Sequence, residues 1–293
     1  MSSLESFTEL NSYTVAERIT EGCSGDEKYR LEKNGKYYLL RVGDLAKAAE
    51  RKKEYDRLRT YENTDINTHR PILFGTTENQ FYSVVSWVDG TPVMDVIKKD
   101  VSKDYYRLGR KAGRELHKLH LAGQTDAGKD WRDIIEKKAF AFLENYHNRR
   151  TEIPGGSHAE QYILENMHLM ADRPQTVMHG DFHWNNCVVD EKGNEGIIDF
   201  SGKETGDPWY DFGGLLWATE YSDSFVNGQI DGYFGAPPDL FWPIFKFYVA
   251  LYAFEHLTYG NKTPEDEKIK GCNAARMLGV FGKDFTSEQP LFR

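Results

Sequence analysis

Apolar and polar residues alternate in short segments over residues 14–90 of the chain. This period of two is typical of β-strands that bury one face. The predicted strands are 15–19, 28–32, 37–42, 72–75 and 81–86. Asn34-Gly35, between the second and third strands, is a strong hairpin signal. Residues 45–61 contain no Gly or Pro and are rich in Ala, Lys, Glu and Arg, which predicts one helix beside a five-stranded antiparallel sheet.

The pattern changes after the sequence Asp-Gly-Thr-Pro at residues 89–92. Beyond it, apolar residues recur with the helical period within residues 108–119, and Ser102 is the predicted cap of that helix. Further helices are predicted over 131–150, over 158–171 and from Asp207-Pro208 onward. The chain after residue 92 is therefore expected to be mostly helical.

The two halves of this pattern predict an α+β fold with two lobes. The N-terminal lobe, residues 1–88, holds the antiparallel sheet and its helix. The larger C-terminal lobe, residues 89–293, is mostly helical. The chain is long enough for two lobes with a cleft between them. An apolar fraction of 39% and a charged fraction of 28% fit a folded globular protein.

Net charge and cysteine usage narrow the expected partners and location. The formal net charge is −9, whereas binding to phosphate backbones needs a basic surface, so no nucleic acid is expected. An acidic field can attract a cationic small molecule, although it can also serve solubility alone. The three cysteines form no CxxC pair, and the N-terminus has no apolar signal segment. No stretch reaches the length of a membrane span, so we expect a cytoplasmic protein without a membrane partner.

Residues 179–200 carry the most informative chemistry of the chain. The run His-Gly-Asp-Phe-His-Trp-Asn-Asn is followed by Ile-Ile-Asp-Phe, which places Asp181, Asn186 and Asp199 close together in sequence. A turn at residues 192–194 would return both strand ends to one wall of a cleft. Asp181 is then a candidate base for a hydroxyl nucleophile, and Asn186 and Asp199 are candidate ligands of Mg²⁺, which prefers oxygen donors. An enzyme that moves a phosphoryl group from ATP to a hydroxyl needs these parts.

Two other functions compete with this interpretation. A metal-dependent hydrolase could use His179, Asp181 and His183 as zinc ligands, but such sites usually need further His or Cys ligands. The other close pair, His117 and His120, lies one helical turn apart and suits packing or hydrogen bonding better. We therefore predict that His179 braces its loop and that His183 faces substrate or solvent. The second competitor is a kinase-like binding module without catalytic activity.

Candidate nucleotide contacts lie in the N-terminal half. The segment Glu-Gly-Cys-Ser-Gly-Asp at residues 21–26 lies between the first two strands. Such a turn can cover a triphosphate with backbone N–H groups, which makes Gly25 a candidate contact. Arg41 on the third strand is a candidate donor to nucleotide phosphates. Glu54 on the following helix is predicted to pair with Arg41, with Glu50 as the competing choice one turn away.

Acidic residues after the metal region are candidates for an acceptor pocket. Asp207, Glu220 and Asp223 could bind an amine-bearing substrate, and His183 is a further candidate. A solvated face is the alternative for Glu220 and Asp223. The aromatic segment 242–259 is expected to lie in the core.

These motifs resemble those of the aminoglycoside phosphotransferase and choline kinase family, and in particular its kanamycin kinase branch. The resemblance is carried by His179-Gly180-Asp181 with Asn186, by Ile198-Asp199, and by segments 206–211, 21–31 and 38–42. It covers roughly residues 14–260. The sequence departs from the family at Arg41, where the usual residue is Lys, and at the C-terminal end, where an acidic terminus is missing.

The resemblance implies a protein-kinase-like fold with ATP, or GTP, and Mg²⁺ bound between the lobes. The base and the two metal ligands are the residues described above. Ser24 would touch the phosphates, Ser86 and Val88 would offer backbone groups to adenine, and Asp211 would steady the catalytic loops. The implied partner is a small hydroxylated acceptor. Aminoglycosides, amino alcohols, sugars and macrolides all remain candidates, and both a monomer and a homodimer are compatible with the sequence.

Overall fold

The computed structural model describes residues 7–20, 25–125, 128, 130–149, 152–200, 205–259 and 263–293. Within these residues a β-sheet comes first and helices follow, which is the α+β arrangement that the sequence predicts. No helix in these ranges is long and apolar enough to cross a membrane.

In the described part of the chain, the N-terminal sheet contains five antiparallel strands. They are β1 (Thr14–Ile19), β2 (Glu27–Lys33), β3 (Lys36–Asp44), β4 (Pro71–Thr76) and β5 (Gln80–Ser86), in the order β1-β2-β3-β5-β4. The turn between β2 and β3 has Asn34 at φ 53° and Gly35 at φ 71°. A two-residue hairpin needs these positive angles, and Asn-Gly adopts them at low cost. The predicted hairpin is therefore confirmed.

The predicted helix over 45–61 is confirmed in its centre but is not one continuous α-helix. Helix α1 covers Ala48–Arg57, with 3₁₀ turns at Leu45–Lys47 before it and Leu58–Tyr61 after it. Asp44 starts this segment because its side chain accepts a hydrogen bond from the Ala46 N–H at 2.7 Å. Tyr55 of α1 packs against Phe74 of β4 with ring centroids 5.4 Å apart. This contact holds α1 against the sheet.

The C-terminal part is mostly helical, as predicted. Its helices are α2 (Val93–Lys99), α3 (Tyr106–Ala122), α4 (Trp131–His147), α5 (Gly156–Asn166), α6 (Asp223–Phe234), α7 (Phe241–His256) and α8 (Pro264–Gly279). Short strands among them are β6 (Thr91–Pro92), β7 (Thr176–Val177), β8 (Cys187–Val189), β9 (Glu195–Ile197) and β10 (Thr205–Gly206). Further 3₁₀ helices cover Thr8–Leu10, Met167–Met170 and Pro208–Trp217.

Helix α7 lies in the core of the helical part. Most of its residues are buried on all sides, so the prediction that segment 242–259 is mainly core is confirmed. Helices α3 and α6 cross closely at Gly109, where an added Cβ would lie 2.1 Å from the backbone oxygen of Phe225. Only a residue without a side chain fits there. This crossing fixes α3, whose last turn carries His120 beneath residues 179–200.

Two predicted helix starts have different outcomes. Asp207 caps the 3₁₀ helix Pro208–Trp217, as predicted, because its side chain accepts a backbone N–H two residues on at 3.0 Å. Ser102 does not cap α3. Its hydroxyl bonds to Asp100 at 2.6 Å, and Asp104 instead accepts the first N–H of the helix at 2.9 Å. The Ser102 prediction is therefore wrong because Asp104 lies closer to the helix start.

Candidate active site

A short hairpin, formed by β8 and β9, gathers the predicted catalytic and metal-binding residues. Asn186 directly precedes β8, and Asp199 follows the end of β9 by two residues. The strands pair in antiparallel register, and the Ile198 N–H donates to the Asn186 carbonyl at 2.9 Å. The hairpin therefore brings positions 186 and 199 to one end, as the turn at 192–194 predicts.

Asp181 lies beside this end of the hairpin and is tied to Asn186. The Asn186 Nδ2 atom lies 2.9 Å from the Asp181 carbonyl oxygen and 3.2 Å from its Oδ2. Both partners are acceptors, so they fix the orientation of the amide and leave Asn186 Oδ1 as the atom able to bind a cation. The Asp181 side chain is 49% exposed, whereas Asn186 is buried. The predicted base thus faces open space and contacts one predicted metal ligand.

Asp199 combines an uncommon backbone conformation with a charged partner. Its φ of 55° lies in the left-handed region, which costs a residue other than Gly on the order of 1 kcal/mol. Its Oδ1 accepts a hydrogen bond from Arg41 Nη2 at 3.0 Å. Burial raises the pKa of Asp199, but the charges of Lys28 and Arg41 outweigh burial and hold that pKa below its usual value. The carboxylate is therefore ionised at neutral pH, the form that binds a divalent cation.

His179 braces the loop that carries Asp181. The ring is fully buried, with Nε2 3.1 Å from the Ile198 carbonyl and Nδ1 accepting the Asp181 N–H at 3.2 Å. These two contacts assign the proton to Nε2. Burial is the main cause that lowers the pKa of His179, so the ring is neutral at pH 7. Because both nitrogens are engaged, His179 fits the predicted bracing role and not that of a zinc ligand.

Asp211 anchors the start of the same loop. Its carboxylate accepts hydrogen bonds from the backbone N–H groups of His179 and Gly180, at 2.7 and 2.8 Å, and from His120 Nε2 at 2.9 Å. Burial raises the pKa of Asp211, but these donors, led by His120, hold it below its usual value. Asp211 thus stands where it can steady the loop. His120 has the hydrogen-bonding role that its spacing suggests.

Arg41 and Glu54 lie on facing elements, but their nearest partners differ from the predicted ones. Arg41 Nη1 lies 4.0 Å from Glu54 Oε2, whereas Arg51 Nη1 lies only 2.7 Å from the same atom. Arg51 Nη2 also lies 2.7 Å from Asp26 Oδ2, and Glu50 is exposed. Neither Arg51 nor Asp26 was among the predicted site residues. The i, i+3 spacing of Arg51 and Glu54 was the available signal.

A cavity lies next to Arg41, between the sheet and α1. Arg41, Glu54 and Asp199 line it on the polar side, and Tyr55 and Phe200 are among its apolar lining. The predicted phosphate donor and a predicted metal ligand therefore border one opening. That arrangement suits an anionic ligand that also carries a flat or apolar group.

The remaining predicted nucleotide contacts range from exposed (Gly25) to buried (Val88). Gly25 has φ 69°, a turn conformation that favours Gly, while Ser24 lies outside the described residues. The Ser86 N–H donates to a backbone carbonyl at 2.9 Å, and the Ser86 carbonyl lies 2.8 Å from His69 Nδ1. Val88 is buried nearby. An adenine contact to the Ser86 carbonyl therefore has to use its second lone pair.

The predicted acceptor residues separate into two groups. Asp207 is fully buried, pairs with Arg173 at 2.5 Å and accepts a buried tyrosine hydroxyl at 2.7 Å. Its prediction as a substrate contact is corrected, because no part of this side chain is accessible. Glu220 and His183 line one pocket beside residues 179–186, which are named the catalytic loop after the predicted role of Asp181. There, His183 Nε2 lies 3.4 Å from Asp181 Oδ1.

The fold and this site together define a class of protein. A sheet that carries Arg41 faces the end of a hairpin where Asp181, Asn186 and Asp199 lie, and these are the kinds of side chain that phosphoryl transfer uses. The chain belongs to the phosphotransferase enzyme family (APH), whose family model matches residues 15–242. The predicted family and the predicted enzyme class are confirmed.

Solved structures of similar fold include two aminoglycoside phosphotransferases and a choline kinase. A thermostable mutant of aminoglycoside phosphotransferase APH(4)-Ia, in complex with ADP and hygromycin B, has a TM-score of 0.67 and 16% identity over 94% of this chain and 96% of that one. Aminoglycoside phosphotransferase APH(3'')-Id from Streptomyces rimosus has a TM-score of 0.56 and 19% identity, over 89% and 100%. Choline kinase LicA from Streptococcus pneumoniae has a TM-score of 0.56 and 12% identity, over 94% and 97%. These similarities confirm the predicted fold. No match was found among curated protein sequences.

The competing zinc hydrolase gains no support. Across the described ranges, no group of three or more His, Cys, Asp or Glu side chains is placed to hold a metal ion. Both ring nitrogens of His179 are already engaged within the protein. The catalytically silent module gains no support either, because Asp181, Asn186 and Asp199 lie at one end of the β8–β9 hairpin.

Proposed function

We propose that this protein transfers the γ-phosphoryl group of ATP to a hydroxyl of a small molecule, with Mg²⁺ as its metal. The observation that carries the proposal is the meeting of Asp181, Asn186 and Asp199 at one end of the β8–β9 hairpin. The nucleotide would bind between residues 1–88 and 89–293. ADP and AMP-PNP in the APH(4)-Ia complexes support a nucleotide as the donor.

The donor atoms at the hairpin end fit Mg²⁺. Asp199 supplies an ionised carboxylate, and Asn186 supplies an amide oxygen fixed by its contacts to Asp181. Both are hard oxygen ligands, which Mg²⁺ prefers. When bound, the metal neutralises negative charge on the transferring phosphoryl group. Arg41, 3.0 Å from Asp199, adds a second positive charge at the same place.

Asp181 is suited to hold the acceptor hydroxyl and to take its proton at a carboxylate oxygen. Its side chain is half-exposed and is held by Asn186 Nδ2 at 3.2 Å. Asp211 and His179 fix the backbone on its N-terminal side. Phosphoryl transfer needs little covalent chemistry from the protein, so positioning and electrostatics supply most of the acceleration.

The test is an Asp181→Asn variant. Asn keeps the size of the side chain but cannot accept the hydroxyl proton, so we expect kcat to fall by about 10²- to 10⁴-fold. Nucleotide binding, measured by isothermal titration with Mg-ADP, should change little. Turnover is followed by coupled ADP release over a panel of aminoglycosides, amino alcohols, sugars, macrolides and hydroxy acids.

Asp65→Asn is the matched control, because Asp65 is 80% exposed and forms a surface ion pair with Lys118 at 2.9 Å. It should leave both kcat and nucleotide binding unchanged. Undiminished turnover by the Asp181→Asn variant would remove Asp181 from the proposed role.

A further inference from the structure

A second pocket, beside the catalytic loop, is placed to hold the part of the acceptor that does not react. It has a volume of about 360 Å³ and is bordered by His183, whose Nε2 lies 3.4 Å from the Asp181 carboxylate. Its other walls come from α2, from the end of the 3₁₀ helix Pro208–Trp217 and from α8. Pockets of this size hold small molecules. A hydroxyl at Asp181 would therefore place the rest of its molecule in this space.

The aromatic rings of this pocket are already covered by the protein's own cations. The Lys98 ammonium lies 5.6 Å from the ring centroid of Trp184 and 5.2 Å from that of Tyr221. The Arg276 guanidinium lies 5.4 Å from the ring of Trp217. A cationic ligand would need such ring faces for itself. In this pocket Lys98 and Arg276 already lie over the ring faces and would compete with a cationic ligand for them.

The charged side chains of the pocket also disfavour a cationic ligand. Its lining contains two cationic side chains, Lys98 and Arg276, and one carboxylate, Glu220. Glu220 Oε2 lies 3.4 Å from Arg276 Nη1, so its charge is directed at Arg276. The lining therefore has one more positive than negative side chain, whereas the chain as a whole has a net charge of −9. This local excess attracts an anion and repels a cation.

We propose that the acceptor carries an anionic group, a carboxylate or a phosphate, which Arg276 and Lys98 recognise. This inference rests on the proposed phosphotransferase function and names the chemical class of its acceptor. The Arg276 guanidinium, whose Nη1 also donates to the Leu216 carbonyl at 3.3 Å, can donate further N–H groups to such an anion, while Lys98 supplies a point charge in the pocket lining. Glu220 competes with the anion for Arg276. The predicted role of Glu220 as the partner of an amine is thereby replaced.

The experiment uses four ligands that differ in one group on the same three-carbon skeleton. They are glycerate, glycerol 3-phosphate, glycerol and 3-amino-1,2-propanediol. Each is titrated calorimetrically into the full-length protein saturated with Mg-ADP, so that no γ-phosphoryl group is present to be transferred to the ligand. We expect glycerate or glycerol 3-phosphate to bind at least tenfold more tightly than glycerol, and the amine to bind more weakly than glycerol. Whichever anion binds more tightly identifies the group as a carboxylate or a phosphate.

Four variants separate recognition from folding, and two of them, Arg276→Gln and Glu220→Gln, have opposite expected signs. Arg276→Gln should weaken binding of the preferred anion about tenfold and leave glycerol binding unchanged. Glu220→Gln should strengthen binding of the anion, because Arg276 then has no competing carboxylate. Lys103→Gln, which removes an exposed lysine just beyond α2, is the control and should have no effect. Arg276→Lys, which keeps the charge, should retain most of the preference if Arg276→Gln proves unstable in a thermal melt.

The outcomes distinguish the two proposals. If Mg-ADP binds but neither anion binds better than glycerol, the anionic acceptor is excluded while the phosphotransferase proposal stands. Weaker anion binding by Glu220→Gln would also overturn the inference. If Mg-ADP itself does not bind, the proposed function fails, and this inference fails with it.

Discussion

Asp211 and Glu195 are two buried carboxyl groups in the C-terminal part, and their environments are opposite. Asp211 accepts three hydrogen bonds at 2.7 to 2.9 Å. Neither side-chain oxygen of Glu195 has a hydrogen-bond partner among the described residues. Both residues are less than one-tenth exposed. Depth of burial is therefore similar, and the supply of donors differs.

The two pKa values move in opposite directions for this reason. Burial raises the pKa of each group, but the donors around Asp211 reverse that effect and hold its pKa below the usual value. Around Glu195, burial raises the pKa to about 9, the charge of Lys111 opposes this only in part, and Glu115 adds to it. Around Asp211, hydrogen-bond donors of the protein replace the water that burial removes. Glu195 has no such donor to its side chain among the described residues. The charged carboxylate anchors the catalytic loop, while the other group is neutral at pH 7.

The largest effect is expected for Asp211→Asn. An amide offers one acceptor oxygen to three donors and points its own NH₂ at one of them. Because the remaining groups stay buried, we expect unfolding free energy to fall by about 3–5 kcal/mol and phosphoryl transfer to be lost. Urea unfolding at pH 7 and coupled ADP release measure these effects. Asp239→Asn, at an exposed position, is the control.

The stability difference between wild type and Asp211→Asn should also depend on pH in the acid range. The pKa of Asp211 is lowered, so its contribution is present above its usual value of 3.8 and is lost as the pH falls below it. The stability difference between wild type and Asp211→Asn should therefore shrink below about pH 3.8. A difference that stays constant down to pH 2 would contradict the role given to the charged form.

The second prediction concerns alkaline pH and Glu195→Gln. Between the usual value of 4.5 and about 9, folded Glu195 keeps a proton that the unfolded chain has lost. The wild-type free energy of unfolding should therefore fall as the pH rises, by up to about 1.4 kcal/mol per pH unit from this group. The Gln variant lacks this slope and should gain stability over wild type from pH 6 to 9.

Chemical denaturation at several pH values measures this slope. Glu191→Gln, on the exposed turn of the same hairpin, is the matched control and should follow the wild type. If the Glu195→Gln and wild-type curves run parallel from pH 5 to 9, then Glu195 is ionised in the folded protein and the contrast with Asp211 fails.

Sequence patterns predicted the parts of this molecule that local spacing controls. The Asn34-Gly35 hairpin, the five strands and the meeting of Asp181 with Asn186 follow from alternation, turn chemistry and short separations. Glu195 was not singled out because it adjoins a polar turn and looks like an exposed strand end. Its burial depends on packing against segments far away in sequence, such as Asn67, whose side chain donates to the Glu195 carbonyl.

Long-range ion pairs were missed for the same reason. Asp207 looked like a free acid beside the metal region, but Arg173 reaches it from 34 residues earlier and draws it into the core. Arg51 links Asp26, on the sheet side, to Glu54 on its own helix. Neither Arg173–Asp207 nor Arg51–Asp26 has a periodic signal, because these partners are distant in sequence and only the whole fold brings them together. Arg51–Glu54, at i, i+3, does have such a signal.

The smallest predicted effect concerns Lys111, whose positive charge lowers the pKa of Glu195 against burial. Its Nζ also donates to the carbonyl of Gly193 on the hairpin turn. In a Lys111→Gln variant the pKa of Glu195 should rise further, so the alkaline loss of stability should continue beyond pH 9. Because Lys111 is exposed, the change should stay below about 1 kcal/mol. Lys192→Gln is the control, and the Lys111→Gln effect on the slope should disappear when Glu195→Gln is also present, since no carboxyl group then remains to titrate.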